Sequence, residues 1–183
     1  MKFLVTNSSL RHPSKLLVVG VSMASKRLMV PKNLRALYQL IRKYPGVSTP
    51  SIIEMIKDDR RFDSEMRTAD AISDMIAELR LMVESGFAPN VVKRALEVHD
   101  RMSKAGIGDA FRYIVRSVER GEYFGIRDIQ RDLGRMSNSF QRKFNSRIEY
   151  ISKDFPEVGE VYNSWLRLRY ISNPIVQLNL AEW

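Results

Sequence analysis

Val118-Glu119-Arg120-Gly121-Glu122-Tyr123-Phe124-Gly125 is a Gly-Glu-x-x-Gly junction between two helical patterns. Upstream, Phe111, Ile114, Val115 and Val118 recur at helical spacing; downstream, Ile126, Ile129, Leu133, Met136 and Phe140 do the same. Glycine adopts backbone angles that other residues avoid, so Gly121 is placed to end one helix and Gly125 to open the next. Glu122 then falls near the positive end of the second helix, where a carboxylate is favoured. On these residues alone the junction is a turn between two packed helices.

Working outward, the rest of the chain also reads as helices. Leu34, Leu37, Tyr38, Ile41 and Tyr44 form an apolar stripe that stops at Pro45-Gly46. Thr49 followed by Pro50 supplies a capping hydroxyl and a first-turn proline for a short helix carrying Ile52, Ile53 and Ile56. Thr68 is placed to cap a helix with Ile72, Met75, Ile76, Leu79, Met82 and Val83 on one face, closed by Gly86. Pro89 opens a further helix through Val91, Val92, Ala95, Leu96 and Met102, stopped by Gly106 and Gly108. The longest stripe runs from Ile126 to Ile151, with Gly134 as a point where it can break. Pro156 starts a last helix with Val158, Val161, Tyr162, Trp165 and Leu168 inward.

The expected product is an all-α bundle of six or seven helices, with short extended segments at Phe3 to Thr6 and Ile175 to Leu180. We divide it into an N-terminal extended or amphipathic segment over 1–31, a helical bundle over 32–150, and a C-terminal helix and tail over 151–183. Its core is expected to include Ile72, Ile76, Leu79, Ile114, Val118, Leu133, Met136 and Phe140.

The 183 residues suffice for one domain with a real core, and 44% hydrophobic with 28% charged residues makes the chain globular. It has no cysteine, which excludes disulfides, thiolate catalysis and cysteine-held metal. A net charge of +9 directs attention to anionic partners: nucleic acid, an acidic protein face or an anionic membrane surface. No segment has the roughly 20 apolar residues a membrane span needs. Leu16 to Ala24, flanked by Lys15 and Lys26, loosely resembles a secretory signal, but a packed strand or short helix is the expected reading.

Candidate chemistry is sparse. His12 and His99 stand apart without carboxylates at ligand spacing, and His99 reads as a packed or surface residue rather than a catalyst. The acidic pairs Asp58-Asp59 and Asp128 with Asp132 sit beside arginines and read as surface ion pairing. Met66, Met75, Met82, Met102 and Met136 read as core filler. No phosphate-binding loop, zinc motif or nucleophile elbow appears, so a protein without enzymatic activity, cofactor or metal is expected.

The order of segments resembles the cytoplasmic domain of the F-type inner-membrane platform proteins of type II secretion and type IV pilus assembly. In that family a helix ends at a glycine, a short helix follows, and a second helix ends at another glycine. An apolar stretch then leads through Gly-Glu-x-x-Gly into a further amphipathic helix. Here those glycines are Gly46, Gly86, Gly121 and Gly125, with Glu122 between the last two, and the resemblance covers roughly Leu34 to Arg147. The chain departs from it where Met102 to Gly108 lacks an aromatic-proline turn, where 148–183 finds no counterpart, and in having no membrane span. The resemblance implies a docking domain at the cytoplasmic face of the inner membrane, touching the assembly ATPase, platform partners and a second copy of itself.

The alternative is a basic helical DNA-binding or DNA-coating protein. Arg127, Arg131, Arg135 and Arg142 fall on one side of the long C-terminal stripe and could track phosphates. A helix-turn-helix forced onto Gly125 to Phe144 puts Gln130 where a small residue is needed, and Arg135 and Lys143 where apolar ones are. The same motif over Val47 to Val83 is interrupted by Lys57 to Arg67. The scaffold reading is therefore preferred.

Overall fold

The computed structural model describes residues 30–134 and 139–171. Within them the chain is all-helical, with eight α-helices: α1 Lys32–Lys43, α2 Thr49–Ile56, α3 Ala69–Glu84, α4 Asn90–Lys104, α5 Gly108–Arg120, α6 Ile126–Asp132, α7 Phe140–Asp154 and α8 Pro156–Ile171. A 3-10 turn, Ser64–Met66, precedes α3. The extended segments expected at the two termini, and the signal-like stretch, lie outside the described residues.

Local signals set most helix ends. The Thr68 hydroxyl accepts the Ala71 N–H at 3.3 Å and starts α3 as expected. For α2 the cap is one residue earlier than Thr49: the Ser48 hydroxyl accepts the Ser51 N–H at 3.4 Å, and Pro50 sits in the first turn. Gly108 does not stop α4 but is the first residue of α5. The long Ile126 to Ile151 stripe is two helices, because α6 ends at Asp132 and Gly134 turns left-handed at φ +64°.

Two apolar cores are built from these helices. The first gathers Leu34, Leu37 and Ile41 of α1, Ile52 and Ile56 of α2, Ile72 and Leu79 of α3, and Leu96 of α4. The second gathers Met102 of α4, Phe111 and Ile114 of α5, Ile129 of α6, Phe144 and Ile148 of α7, and Val158 and Trp165 of α8. Helix α4 contributes to both, and Tyr44 packs against both. Of the expected core, Ile72, Leu79 and Ile114 are buried. Ile76, Val118, Leu133 and Phe140 are only partly buried and flank the cores, and Met136 is outside the described residues. Leu133 and Phe140 sit at the ends of broken helices, where packing is one-sided.

Two features tie the ends together. Arg67 donates to the carbonyls of Asp59 (3.1 Å), Phe62 (2.9 Å) and Lys57, so one guanidinium organises the connection between α2 and α3. That compact connection, with Phe62 buried beneath it, is what interrupts the helix-turn-helix imitation. On the outer side of α4, Arg94 donates to Glu157 (2.9 Å) and to the Asp154 carbonyl (2.8 Å), and Arg101 pairs with Asp154 at 3.0 Å. The boundary drawn at 150/151 thus falls inside α7, and α8 shares the second core.

Candidate functional site

The Gly-Glu-x-x-Gly junction is held from beneath. Gly121 ends α5 in the left-handed region at φ +66°, and the N–H of Glu122 closes back onto the Ser117 carbonyl at 3.1 Å. Ser117, 1% exposed, also accepts the Phe124 N–H on its hydroxyl at 3.2 Å. From α8 the Trp165 indole N–H donates to the Phe124 carbonyl at 2.9 Å, and its ring stacks on Tyr123 with centroids 5.4 Å apart. Burial there pushes the Tyr123 phenol above its ordinary value. Gly125 then opens α6 from extended backbone, φ −71° and ψ 155°.

Glu122 does not do what its position suggested. It is exposed, and no side chain caps the α6 amides; the acidic residue of that first turn is Asp128. The first α6 amides run on a Gly125 carbonyl instead, which accepts from Asp128 (3.0 Å) and Ile129 (3.1 Å). With its charge in solvent, Glu122 is a surface residue of the turn.

A second, tighter corner lies at Gly46. There the α1–α2 turn packs against the α4–α5 turn with no room for side chains. A Cβ on Gly46 would lie 2.3 Å from the Met102 Cβ, and one on Gly108 would lie 1.8 Å from the Gly46 carbonyl oxygen. The Gly46 N–H donates to His99 Nδ1 at 3.0 Å, and the Ser48 N–H to Asp109 Oδ1 at 3.0 Å. Burial lowers the His99 pKa, so the ring is neutral at pH 7. Burial alone would raise the Asp109 carboxyl, but the Ser48 N–H and the Ser51 and Ser48 hydroxyls hold it below the usual range. Gly86, by contrast, turns at φ +71° in open surroundings, with Leu81 and Phe87 each 60% exposed beside it.

The four arginines expected to form one basic face are divided. Arg127 and Arg131 are exposed on α6, Arg142 is exposed on α7, and Arg135 lies outside the described residues. Arg131 is within 3.2 Å of Asp128 and 3.7 Å of Asp132, the ion pairing that the acidic neighbours suggested. No single helix presents them, because the helix that was to carry them ends at Asp132.

No family model, curated protein or solved structure matches this chain. Among the described residues no helix is long and apolar enough to cross a membrane, and no group of three or more His, Asp or Glu is placed to hold a metal ion.

The residues that build both corners were only half visible in sequence. Ser117 is a polar residue between Arg116 and Val118 and looks solvated, and Asp109 follows a glycine like any first-turn acid. Their partners are 7 and 61 residues away, beyond the reach of a local pattern. Trp165 was legible as an inward residue, but the carbonyl it would bind was not.

Proposed function

We propose that this chain is a non-enzymatic helical docking domain of a type II secretion or type IV pilus inner-membrane platform. The observation that carries this reading is the order of three of the five left-handed glycines among the described residues, Gly106 and Gly134 being the other two. Helices α1, α3 and α5 end at Gly46, Gly86 and Gly121, a short α2 follows the first, and α5 feeds through Gly-Glu-x-x-Gly into α6. That order is the one by which the sequence resembles the platform family. Two of the three corners are packed against other helices, at His99 and at Trp165. The Gly86 corner is the open one, and with Leu81, Phe87 and the 45% exposed Val91 it offers an apolar contact for a partner. In this reading the assembly ATPase docks at that corner, and the basic chain rests against anionic lipid at the cytoplasmic face of the inner membrane.

The test is co-precipitation of the full chain with the assembly ATPase from the same cell. Phe87→Ser with Leu81→Ser should abolish capture while leaving the melting temperature unchanged, since both side chains face solvent. Full capture by that double variant overturns the docking assignment. Submicromolar binding to duplex DNA at physiological salt, lost on reversing Arg127 and Arg131, would replace the scaffold reading with the nucleic-acid one.

A further inference from the structure

A cleft of about 220 Å³ opens between the start of α2, the outer side of α3 and α4, and His99 forms part of its wall. His99 is 5% exposed, and its Nδ1 is committed to the Gly46 N–H. A backbone N–H can only donate, so Nδ1 accepts and the ring hydrogen resides on Nε2. Nε2 lies on the far edge of the ring from Gly46 and donates to none of the described residues. Nε2 is not one of the enclosed polar atoms without a partner, so it is reached by solvent, and water or a ligand in the cleft can take its hydrogen.

The other groups in the wall are also mostly donors. Arg80 of α3 spends one N–H on Asp100 Oδ1 at 2.7 Å, and the rest of its fork makes no bond to the described residues. Ser103 brings a hydroxyl from α4, and Thr49 brings another from the first turn of α2, whose N-terminus is already held by the Asp109 carboxylate through the Ser48 N–H. Ser73 donates its own hydroxyl to the Ala69 carbonyl and can still accept. Asp100 is the one carboxylate in the wall, and Arg80 already neutralises it.

We propose that this cleft binds a single phosphate group, held by His99 Nε2–H, the free arm of Arg80 and the hydroxyls of Ser103 and Thr49. Donors arriving from three helices surround a small volume, which suits a tetrahedral oxyanion better than a flat carboxylate gripped by one fork. Bound there, the phosphate joins α2, α3 and α4 beside the Gly46 clasp and so stabilises the first core by mass action. The site does not rest on the docking reading: Arg80 is the chain neighbour of Leu81, but its guanidinium pairs with Asp100 of α4, and neither Leu81 nor Phe87 lines the cleft.

The experiment titrates the full ¹⁵N-labelled chain with inorganic phosphate, with phenyl phosphate and with chloride at matched ionic strength. Its readouts are the His99 Nε2 resonance and the melting temperature. The expected result is a saturable Nε2 shift and a higher melting temperature with phosphate but not with chloride. Saturation by inorganic phosphate alone identifies the free ion as the ligand; saturation by phenyl phosphate as well identifies a phosphate monoester. Arg80→Met added to Asp100→Asn, which removes the cation without leaving a bare carboxylate in the wall, should weaken the response about tenfold relative to Asp100→Asn alone. Ser103→Ala is a second variant that leaves the ion pair intact and should weaken it less. Identical responses to phosphate and chloride, or a response undiminished when Arg80→Met is added to a folded Asp100→Asn chain, overturn the proposal.

Discussion

The Gly46 and Gly86 corners end their helices with the same left-handed glycine, yet one is enclosed and the other open. A Cβ at Gly46 collides with Met102, whereas a Cβ at Gly86 meets nothing within 4 Å. Gly121 belongs with Gly86: it too has open space where a side chain would go, and its junction is held by Ser117 and Trp165 instead. A positive φ is therefore a modest constraint shared by all three. Of these corners, it is the Gly46–Gly108 crossing where the absence of a side chain is a severe constraint.

That contrast is most directly broken by alanine. Gly46→Ala and Gly108→Ala should each cost more than about 4 kcal/mol, since backbone rather than a flexible side chain blocks the new methyl. Gly86→Ala should cost only about 1 kcal/mol, the strain of the left-handed angle. Urea midpoints measure both, and equal losses would erase the distinction between enclosed and open corners. Next in size, Ile114→Ala should cost about 2–5 kcal/mol, because its side chain is fully buried in the second core. Phe140→Ala at the α7 end should cost less, as that ring is only partly covered.

At the Gly121 junction, Trp165→Phe keeps an aromatic ring but strands the Phe124 carbonyl and leaves space where the buried indole was, and should cost about 2–3 kcal/mol. Loss of the Tyr123 ring-current shifts in the NMR spectrum would show whether the stacked pair loosens with it.

As pH falls, acid should reach the Gly46 corner first, through His99. Above pH 6.5, the ordinary imidazole value, His99 is neutral in both folded and unfolded chains and contributes no pH dependence. As pH falls below 6.5 the unfolded chain takes up the proton first, so stability declines until the lowered folded-state value is reached. Asp109 adds a further loss as pH falls below its ordinary 3.8 toward its lowered folded value. Denaturation midpoints between pH 7 and 5 should therefore fall in the native chain and flatten in His99→Gln. The smallest effect is expected at Glu122→Gln, less than about 1 kcal/mol, as the carboxylate faces solvent.

The helices were legible because burial on one face imposes a 3.6-residue repeat, as Leu34, Leu37 and Ile41 illustrate. Thr68, Gly86 and Gly121 were legible for a local reason: capping chemistry and left-handed turns restrict residue type at one position. The split between α6 and α7 was legible only as a point at Gly134 where the stripe can break. Leu133, Met136 and Phe140 keep helical spacing across Gly134, so the repeat continues in sequence where the helix does not. The Gly46 clasp escaped for the opposite reason. His99 was read as a packed or surface residue, and the structure buries it; its partner is 53 residues away, and nothing near either residue names the other. Ser48 displaced Thr49 as cap because two adjacent hydroxyls offer the same chemistry, and only the backbone angle chooses between them.

Helix α4 carries Leu96 into one core and Met102 into the other, less than two turns apart. Neither core can open while this helix stays covered, so the two halves are bound to melt together. Its central amides should exchange with deuterium only through global unfolding, at one common protection level from Leu96 to Met102. The seven-residue α6, lying in one core alone, should exchange through smaller local openings well before them.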